Sequence, residues 1–333
     1  MNQDEIAVII PCYNEALTIG KVVDDFHREM PEATVYVYDN DSTDATAAIA
    51  MKHGATVRYE PRRGKGNVCR QMFRDIDAAC YLMVDGDDTY PAEAAKSLCE
   101  PILDGKADMV VGDRLSNGTY ARANGRAFHG FGNNLVRGMI KWIYGYGYTD
   151  VMTGYRALSE PFVKTLPVLS EGFQIETELS IHAVDRRWRI QSIPVDYRDR
   201  PEGSQSKLDT LGDGIKVIAT VGTLFKDYRP LRFFSLVAFA FFATGLVLGI
   251  PVVREFISTG LVPRFPTAIL TVALMFLCAL SLATGLILDA VAKSDRRQWE
   301  LEVYRYFPCS HESSADKQWG ANEFQLRGTR QPL

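Results

Sequence analysis

The pattern of apolar and polar positions divides the chain into two parts. As far as about residue 232, short apolar runs alternate with segments whose apolar residues recur every three or four positions. The runs predict buried strands, and the segments between them predict helices. The predicted strands cover residues 6–10, 34–38, 55–59, 80–84 and 109–111, and the predicted helices cover residues 16–30, 44–53, 66–78 and 91–103. This alternation predicts a Rossmann-like α/β fold, a mostly parallel sheet with helices on both faces.

The second part contains two uncharged apolar runs, at residues 233–253 and 265–288. Each has about the twenty residues that are needed to cross the hydrocarbon core of a bilayer. Helices in a soluble core are rarely uncharged on every face over this length. We therefore predict a two-helix transmembrane hairpin, and the alternative is a pair of buried core helices.

Basic residues flank the hairpin on its outer sides and predict its orientation. They are Lys226, Arg229 and Arg232 before the first run and Lys293, Arg296 and Arg297 after the second, whereas the link offers only Arg254 and Arg264. The positive-inside rule then places both outer flanks in the cytoplasm. The apolar stretch at residues 6–10 is too short for a secretory signal, which agrees with a cytoplasmic N-terminal domain.

Four domains follow from these patterns. Residues 1–206 form the large N-terminal domain, and residues 231–292 form the hairpin. Residues 207–230 predict an amphipathic helix at the membrane surface, or alternatively a helix packed on the N-terminal domain. Residues 293–333 are polar and predict a cytoplasmic tail that is partly disordered.

Composition argues against nucleic-acid binding and against a metal site made of cysteines. The formal net charge is −4, whereas a nucleic-acid-binding domain usually carries a basic face. The six cysteines form no C-x-x-C pair and no spacing typical of metal ligands, so we expect reduced thiols.

Polar clusters follow several predicted strands, at the sheet edge where α/β proteins bind ligands. Asp85 and Asp87 flank Gly86 directly after the strand at residues 80–84. Two carboxylates so placed can share a divalent cation, and Mg²⁺ completes its octahedron with water and phosphate oxygens. The motif therefore predicts a metal diphosphate site, and the alternative is a solvated acidic turn.

Two basic loops offer charges for such a diphosphate. Residues 62–66 (RRGKG) precede a predicted helix, whose free N–H groups and dipole favour an anion. Residues 200–207 (RPEGSQSK) form the second loop. Either loop is alternatively a solvated basic turn. Neither has the Walker spacing, and the chain has no G-x-G-x-x-G.

Two further aspartates are candidates with open roles. Asp39 ends a predicted strand, where its carboxylate can accept from a nucleobase or a ribose, or instead make a helix cap or an Asx-turn. Asp150 is a candidate general base, a group that orients the acceptor, or an ordinary turn residue.

Read in order, the motifs resemble family-2 glycosyltransferases of the dolichyl- or polyprenyl-phosphate sugar synthase type, which have a GT-A type fold. Residues 9–15 (IIPCYNE) resemble the family's opening strand and nucleotide-contacting turn. Residues 39–44 (DNDSTD) resemble its D-D-G-S-x-D turn, with Asn40 and Asp41 departing from it. Residues 63–66 match its basic turn, and residues 85–87 match its metal motif, with Thr89 where some members place a glutamine ligand.

The resemblance continues to about residue 230. Residues 112–114 (GDR) resemble G-[ST]-R, residues 150–156 (DVMTGYR) resemble D-x-x-T-G-[FY]-R, and residues 173–176 (FQIE) match F-x-I-E. Residues 200–208 (RPEGSQSKL) resemble R-x-x-G-x-S-K-L with one extra residue before the serine.

The resemblance implies a role for each matched residue. Asp85 and Asp87 would bind Mg²⁺ or Mn²⁺ and act in catalysis together with Asp150 and Arg200. Arg114 and Arg126 would contact the acceptor phosphate. The residues implied to bind the nucleotide sugar are Pro11, Tyr13, Glu15, Asp39, Lys65, Gly66, Asp85, Gly86, Asp87, Arg114, Gln174, Glu176, Arg200, Ser206 and Lys207.

The function implied is an inverting transfer of a sugar from a UDP- or GDP-linked donor to polyprenyl or dolichyl phosphate. Bacterial members with two C-terminal spans assemble as tetramers, so a homo-oligomer in a bacterial or archaeal plasma membrane is expected. Two alternatives remain. One is a glycosyltransferase with a non-lipid acceptor, and the other is a membrane-tethered nucleotide-binding or nucleotidyltransferase module.

Overall fold

The fold was analysed in a computed structural model that describes residues 4–116, 137–143, 145, 147, 150–201 and 212–307. Within these residues one sheet has the strand order β3-β2-β1-β4-β6-β5-β7. The strands are β1 Asp4–Cys12, β2 Thr34–Asp39, β3 Thr56–Tyr59, β4 Ala78–Met83, β5 Met109–Asp113, β6 Arg156–Ser159 and β7 Ile190–Pro194. Only β6 among them runs antiparallel to its neighbours, β4 and β5. The predicted mostly parallel sheet is confirmed, and β6 and β7 were not predicted.

Helices cover both faces of the sheet. They are α1 Ile19–Glu29, α2 Thr46–Lys52, α3 Lys65–Asp75, α4 Ala95–Leu103, α5 Glu160–Thr165, α6 Ile175–Asp185, α7 Gly212–Tyr228, α8 Pro230–Thr259 and α9 Phe265–Tyr306. Alternate residues of β1 enter two separate cores. Ala7 and Ile9 pack with α3, α5 and α6 on one face, and Val8 and Ile10 pack with α1 and α4 on the other. The two-faced burial explains why β1 is apolar at consecutive positions.

One helix ends earlier than predicted because of pairing in the sheet. The helix predicted over residues 66–78 ends at Asp75, and Ala78 begins β4. Ala78 is a good helix former, but it pairs with Asp4 in the sheet and is completely buried. Sheet pairing therefore overrides its local propensity.

The two apolar runs form the long helices α8 and α9. Only 11% and 6% of their most apolar stretches are buried within the protein. Exposed apolar surface of this extent is unfavourable in water, so the alternative of two buried core helices is excluded and the helices are suited to a membrane. Helix α9 continues beyond the predicted end at residue 288, as far as Tyr306.

Small residues allow α8 and α9 to pack closely. A Cβ atom added to Gly249 would lie 2.8 Å from Cγ2 of Thr271, and one added to Gly245 would lie 3.4 Å from Cβ of Leu274. Such close approach of backbones is typical of helix pairs in membranes.

Helix α7 corresponds to the predicted amphipathic helix. Val221, Leu224 and Phe225 are buried in the core that also contains Ile140 and Ile143 of the helical segment 137–143. This apolar side of α7 therefore packs on the N-terminal domain, which is the alternative position considered from the sequence. Its position at a membrane surface stays a prediction.

Candidate active site

Asp85 lies just beyond β4, at the edge where β1 and β2 also end. Its Oδ1 atom accepts from Nζ of Lys65 at 2.5 Å, and the same ammonium donates to Oε1 of Glu176 at 2.6 Å. Lys65 begins α3 and Glu176 lies in the first turn of α6, so two helix starts converge on the metal motif. Burial alone would lower the pKa of Lys65, but the two carboxylates outweigh it and raise that pKa well above its ordinary value. Lys65 is therefore a fixed positive charge beside Asp85.

Asp87 is held by a hydroxyl and a guanidinium. Oγ1 of Thr89 donates to Oδ1 of Asp87 at 2.6 Å, and the guanidinium of Arg200 forms an ion pair with Oδ2. The backbone N–H of Arg198 donates to the carbonyl of Thr89 at 2.9 Å, which brings the chain after β7 to this point. Burial, and then the charge of Asp85, raise the pKa of Asp87. Thr89 thus orients Asp87, a role that the sequence did not suggest.

The donor set fits a metal that is shared with a ligand. Among the described residues no group of three or more His, Cys, Asp or Glu side chains is arranged to hold a metal ion. Two neighbouring carboxylates with crowded negative charge are nevertheless the protein share that Mg²⁺ usually takes when phosphate oxygens complete its shell. Asp85 and Asp87 therefore suit a metal diphosphate better than a dedicated metal cage.

Gly86 keeps the metal motif close to β1. A Cβ atom added to it would lie 2.7 Å from Sγ of Cys12, which is buried. We expect Gly86→Ala to displace the two aspartates and to weaken metal-dependent activity, since overpacking costs about 1–3 kcal/mol. The double variant Cys12→Ala, Gly86→Ala frees the space and should recover most of the activity. Initial rates measured over a series of metal concentrations compare the two variants. If the double variant recovers no activity, this packing is contradicted.

Asp39 ends β2 and has one oxygen without a partner. Its Oδ2 atom accepts from the backbone N–H of Ser42 at 3.2 Å, which is the turn contact considered from the sequence. Its Oδ1 atom is buried and has no hydrogen-bond partner among the described residues. A buried oxygen without a partner is unfavourable, so it suits an N–H group of a ligand.

The turn that follows β1 meets the basic turn over an aromatic ring. The guanidinium of Arg63 lies 4.7 Å from the ring centre of Tyr13 and donates to its hydroxyl at 2.8 Å. Pro11 lies in β1 beside Tyr38, and the N–H of Glu15 donates to Oγ1 of Thr46 at 2.8 Å. The half-buried Tyr13 and the exposed Arg63 therefore pack together beside Asp41, with which Arg63 forms an ion pair.

Asn40, which departs from the family motif, fixes the basic turn. Its Nδ2 atom donates to the carbonyls of Glu60 and Arg62 at 2.9 and 2.8 Å, and its Oδ1 atom accepts from the N–H of Gly64 at 2.7 Å. An aspartate has no N–H groups with which to make the first two bonds. The departure is thus a structural feature of this chain.

Some N–H groups at the basic turn are already bonded within the protein. The N–H of Gly66 donates to the carbonyl of Glu171 at 2.9 Å, and that of Asn67 donates to Gly64 at 3.0 Å. A Cβ atom added to Gly66 would overlap the backbone of Ser170. Gly66 therefore serves the packing of a neighbouring loop, and its assignment to the nucleotide-sugar site stays a prediction.

Arg114 and Asp150 form a two-bonded ion pair. Nε and Nη2 of Arg114 donate to the two oxygens of Asp150 at 2.7 and 3.0 Å. Asp150 is completely buried, whereas Arg114 is slightly exposed. Since its carboxylate is enclosed and both oxygens are taken, Asp150 is suited to positioning Arg114 rather than to accepting a proton from a substrate.

The loop of residues 150–154 is held by a buried guanidinium. Arg156 donates to the carbonyls of Val151 and Thr153 at 2.5 and 3.0 Å and to Oγ of Ser180 at 2.9 Å. At the end of this loop, a Cβ atom added to Gly154 would overlap the carboxylate of Asp85. One loop therefore connects the Asp150–Arg114 pair to the metal motif. The T-G-Y-R resemblance indicated this segment, but it gave no role to Arg156 or Gly154.

Other predicted residues lie apart from these contacts. Gln174 precedes α6, and its Oε1 atom is buried without a partner among the described residues. Arg126, Ser206 and Lys207 lie outside the described part of the chain. Their assigned roles stay predictions.

Comparison with known proteins agrees with this fold. The family described as Glycosyl transferase family 2 matches residues 7–159. Glycosyltransferase AglJ from Haloferax volcanii is 32% identical over 299 residues, which are 89% of this chain and 96% of that protein. Dolichyl-phosphate hexose transferase from the same organism is 31% identical over 216 residues, covering 64% of this chain and 91% of that protein.

A more distant relative and a solved structure extend the comparison. Polyprenol monophosphomannose synthase from Mycolicibacterium smegmatis is 23% identical over 210 residues, 59% of this chain and 78% of that protein. The crystal structure of glucosyl-3-phosphoglycerate synthase from Mycobacterium tuberculosis with Mn²⁺, uridine diphosphate and phosphoglyceric acid has a TM-score of 0.56 at 23% identity. It covers 67% of this chain and 78% of that one, and it supports the fold alone. This chain therefore belongs to glycosyl transferase family 2 and has its GT-A type fold, followed by two long apolar helices.

Proposed function

We propose that this enzyme transfers a sugar from a nucleotide diphosphate sugar to the phosphate of a polyprenyl or dolichyl lipid. The observation that carries the proposal is the pair Asp85 and Asp87, flanked by Lys65 and Arg200, in a chain whose apolar helices α8 and α9 are exposed. Two relatives named for transfer to dolichyl phosphate and for polyprenol monophosphomannose synthesis support this choice of acceptor.

The donor diphosphate would bind beside Asp85 and Asp87, which would hold Mg²⁺ or Mn²⁺. Such a metal neutralises charge that develops on the leaving diphosphate. Lys65 and Arg200, which pair with the two carboxylates, would each gain phosphate oxygens as partners when the donor arrives. The site would thus exchange internal ion pairs for contacts with the donor.

The acceptor needs orientation more than deprotonation. A phosphate is already largely ionised near neutral pH, because its second pKa is about 6. Arg114, oriented by Asp150, is suited to hold this phosphate so that one oxygen attacks the anomeric carbon from the face opposite the nucleotide. Transfer would then invert the anomeric configuration, and the burial of Asp150 is in keeping with the lack of a general base.

The free oxygen of Asp39 favours uracil as the donor base. Oδ2 is used by Ser42, so Oδ1 alone is free to accept from a base. Uracil offers one N–H on its pairing edge, whereas guanine offers two neighbouring donors that would use both oxygens of a carboxylate. We therefore expect UDP to compete with the donor better than GDP does.

Incubation of purified protein with labelled UDP- and GDP-sugars and polyprenyl phosphate tests the proposal. Label should enter the organic extract only with the lipid acceptor and a divalent metal, and UDP should inhibit this transfer. Label that appears only in water-soluble products would favour a non-lipid acceptor. A release of nucleotide with no glycosylated product in either phase would contradict sugar transfer.

Arg200→Ala is expected to lower turnover about a hundredfold with little effect on nucleotide affinity. The guanidinium acts mostly on charge that develops in the transition state, and loss of one such contact costs about 3 kcal/mol. Arg198→Ala is the matched control, because Arg198 makes an exposed ion pair with Glu93 that contributes little. A higher donor KM with unchanged kcat in Arg200→Ala would contradict this role.

The proposed membrane location can be tested separately from the reaction. If α8 and α9 span the bilayer, the protein should remain with membranes through an alkaline wash. Leu261 follows the glycine that ends α8 and is exposed, so it tolerates a label, and we place it on the non-cytoplasmic side. A cysteine at this position should react with an impermeant maleimide in intact cells, and reaction only after lysis would reverse the orientation.

A further inference from the structure

Arg232 ties the helical segment 137–143 to the start of the first apolar helix. Its Nη1 atom donates to the carbonyl of Ile143 at 2.7 Å. Arg232 lies in the first turn of α8 and is the last charged residue before the uncharged run that ends at Val253. The end of segment 137–143 is therefore held at the level where α8 becomes entirely apolar.

Trp142 is exposed next to this bond, whereas two isoleucines of the same segment are buried. Ile140 and Ile143 are completely or almost completely buried, whereas the side chain of Trp142 is 65% exposed. Its ring lies 5.8 Å from that of Phe225 in α7, and Phe225 lies 5.7 Å from Phe233 in α8. We call Trp142, Phe225 and Phe233 the aromatic row. The row runs from an exposed indole to the beginning of the apolar helix.

We propose that Trp142 inserts among the lipid headgroups and sets the height of the catalytic domain above the bilayer. This inference rests on the membrane location proposed above. Tryptophan prefers the membrane–water interface, because its apolar ring and its N–H group are both accommodated there. Val221, Leu224 and Phe225 of α7 are turned into the protein core, whereas Trp142 offers an exposed aromatic side chain to the headgroups.

The charge near Trp142 and the contact of the aromatic row with α8 favour lipid over a second copy of the chain as the partner of Trp142. Lys141 precedes it in the segment and is exposed, whereas the exposed Lys226 of α7 is paired with Asp227 at 3.1 Å. An exposed cation such as Lys141 attracts anionic headgroups, at about 1 kcal/mol. The aromatic row also joins directly to α8, whose apolar side chains Leu236 and Phe239 are 48% and 68% exposed. The surface around Trp142 is thus the polar edge of the membrane-facing surface.

Quenching of tryptophan fluorescence by brominated lipid tests the inference. The full chain is reconstituted in phosphatidylcholine–phosphatidylglycerol vesicles whose acyl chains carry bromine close to the headgroup. We compare the unmodified chain with Trp142→Phe, and with Trp188→Phe as a control, because Trp188 packs against Phe162 at 5.8 Å. Trp142→Phe should lose most of the quenching by lipid, whereas Trp188→Phe should keep it.

Two results would overturn the inference. One is equal quenching in Trp142→Phe and in the unmodified chain. The other is a Trp142 that is protected from brominated lipid and from aqueous iodide alike, which would show contact with protein. The measurement uses no sugar donor, so it separates this inference from the proposed reaction. A chain that glycosylates lipid without quenching at Trp142 contradicts only the inference.

Discussion

Asp87→Asn should lower turnover on the order of a thousandfold while the fold stays intact. A metal bound to this carboxylate contributes several kcal/mol of charge stabilisation, and about 4 kcal/mol corresponds to a thousandfold in rate. The amide has the same shape, and Arg200, which pairs with Asp87, is 28% exposed and keeps access to water, so we expect only a small loss of thermal stability. EDTA should have the same effect on the unmodified enzyme.

The neighbouring residue Asp88 provides the control for this variant. Asp88 pairs with Lys21 at 2.7 Å, and its φ of 59° suits asparagine equally well. Asp88→Asn should therefore keep the rate and the metal dependence of the unmodified enzyme. Initial rates over a series of Mg²⁺ and Mn²⁺ concentrations measure both variants. Full activity of Asp87→Asn in metal-free buffer would exclude the metal site.

Asp150→Asn should reduce turnover about a hundredfold through its effect on Arg114. The amide no longer fixes the guanidinium of Arg114, and loss of one oriented charged contact costs about 3 kcal/mol of transition-state stabilisation. If Asp150 acts only by holding Arg114, the double variant with Arg114→Ala should be no slower than Arg114→Ala alone. The pH dependence of kcat should keep its shape in Asp150→Asn.

A general base at Asp150 would give different results. The pH profile of kcat for Asp150→Asn would then lose its acidic limb. The losses from Asp150→Asn and Arg114→Ala would also multiply in the double variant. Either result would contradict a positioning role and would assign proton transfer to Asp150.

Local patterns predicted the parts of the fold in which sequence and packing agree. The strand β1 is buried on both faces, so its apolar run was sufficient to predict it. The acidic motif after β4 predicted the candidate metal site, because the carboxyl ends of parallel strands meet at one edge. The strands β6 and β7 escaped prediction. β6 begins with Arg156, a charged residue that does not indicate a buried strand although it is completely buried. β7 has Gln191 and Ser192 among its apolar residues and so shows no apolar run.

The supporting contacts of the site depend on residues that are far apart in sequence. Asn40 bonds to a turn about twenty residues later, and Lys65 bonds to Glu176 across 111 positions. No spacing rule indicates such pairs in a single sequence. Gly154 is a similar case. It must be glycine because the carboxylate of Asp85 occupies the place of a Cβ atom, and Asp85 is distant in sequence.

The mass of the lipid product tests the central claim most directly. Purified protein is incubated with the nucleotide sugar, polyprenyl phosphate and a divalent metal, and the organic extract is analysed by mass spectrometry. We predict a lipid that gains one hexose-type residue and keeps a single phosphate, because a phosphate oxygen of the acceptor attacks the anomeric carbon. A lipid carrying its sugar through two phosphates, or consumption of the donor without a glycosylated lipid, would contradict the account.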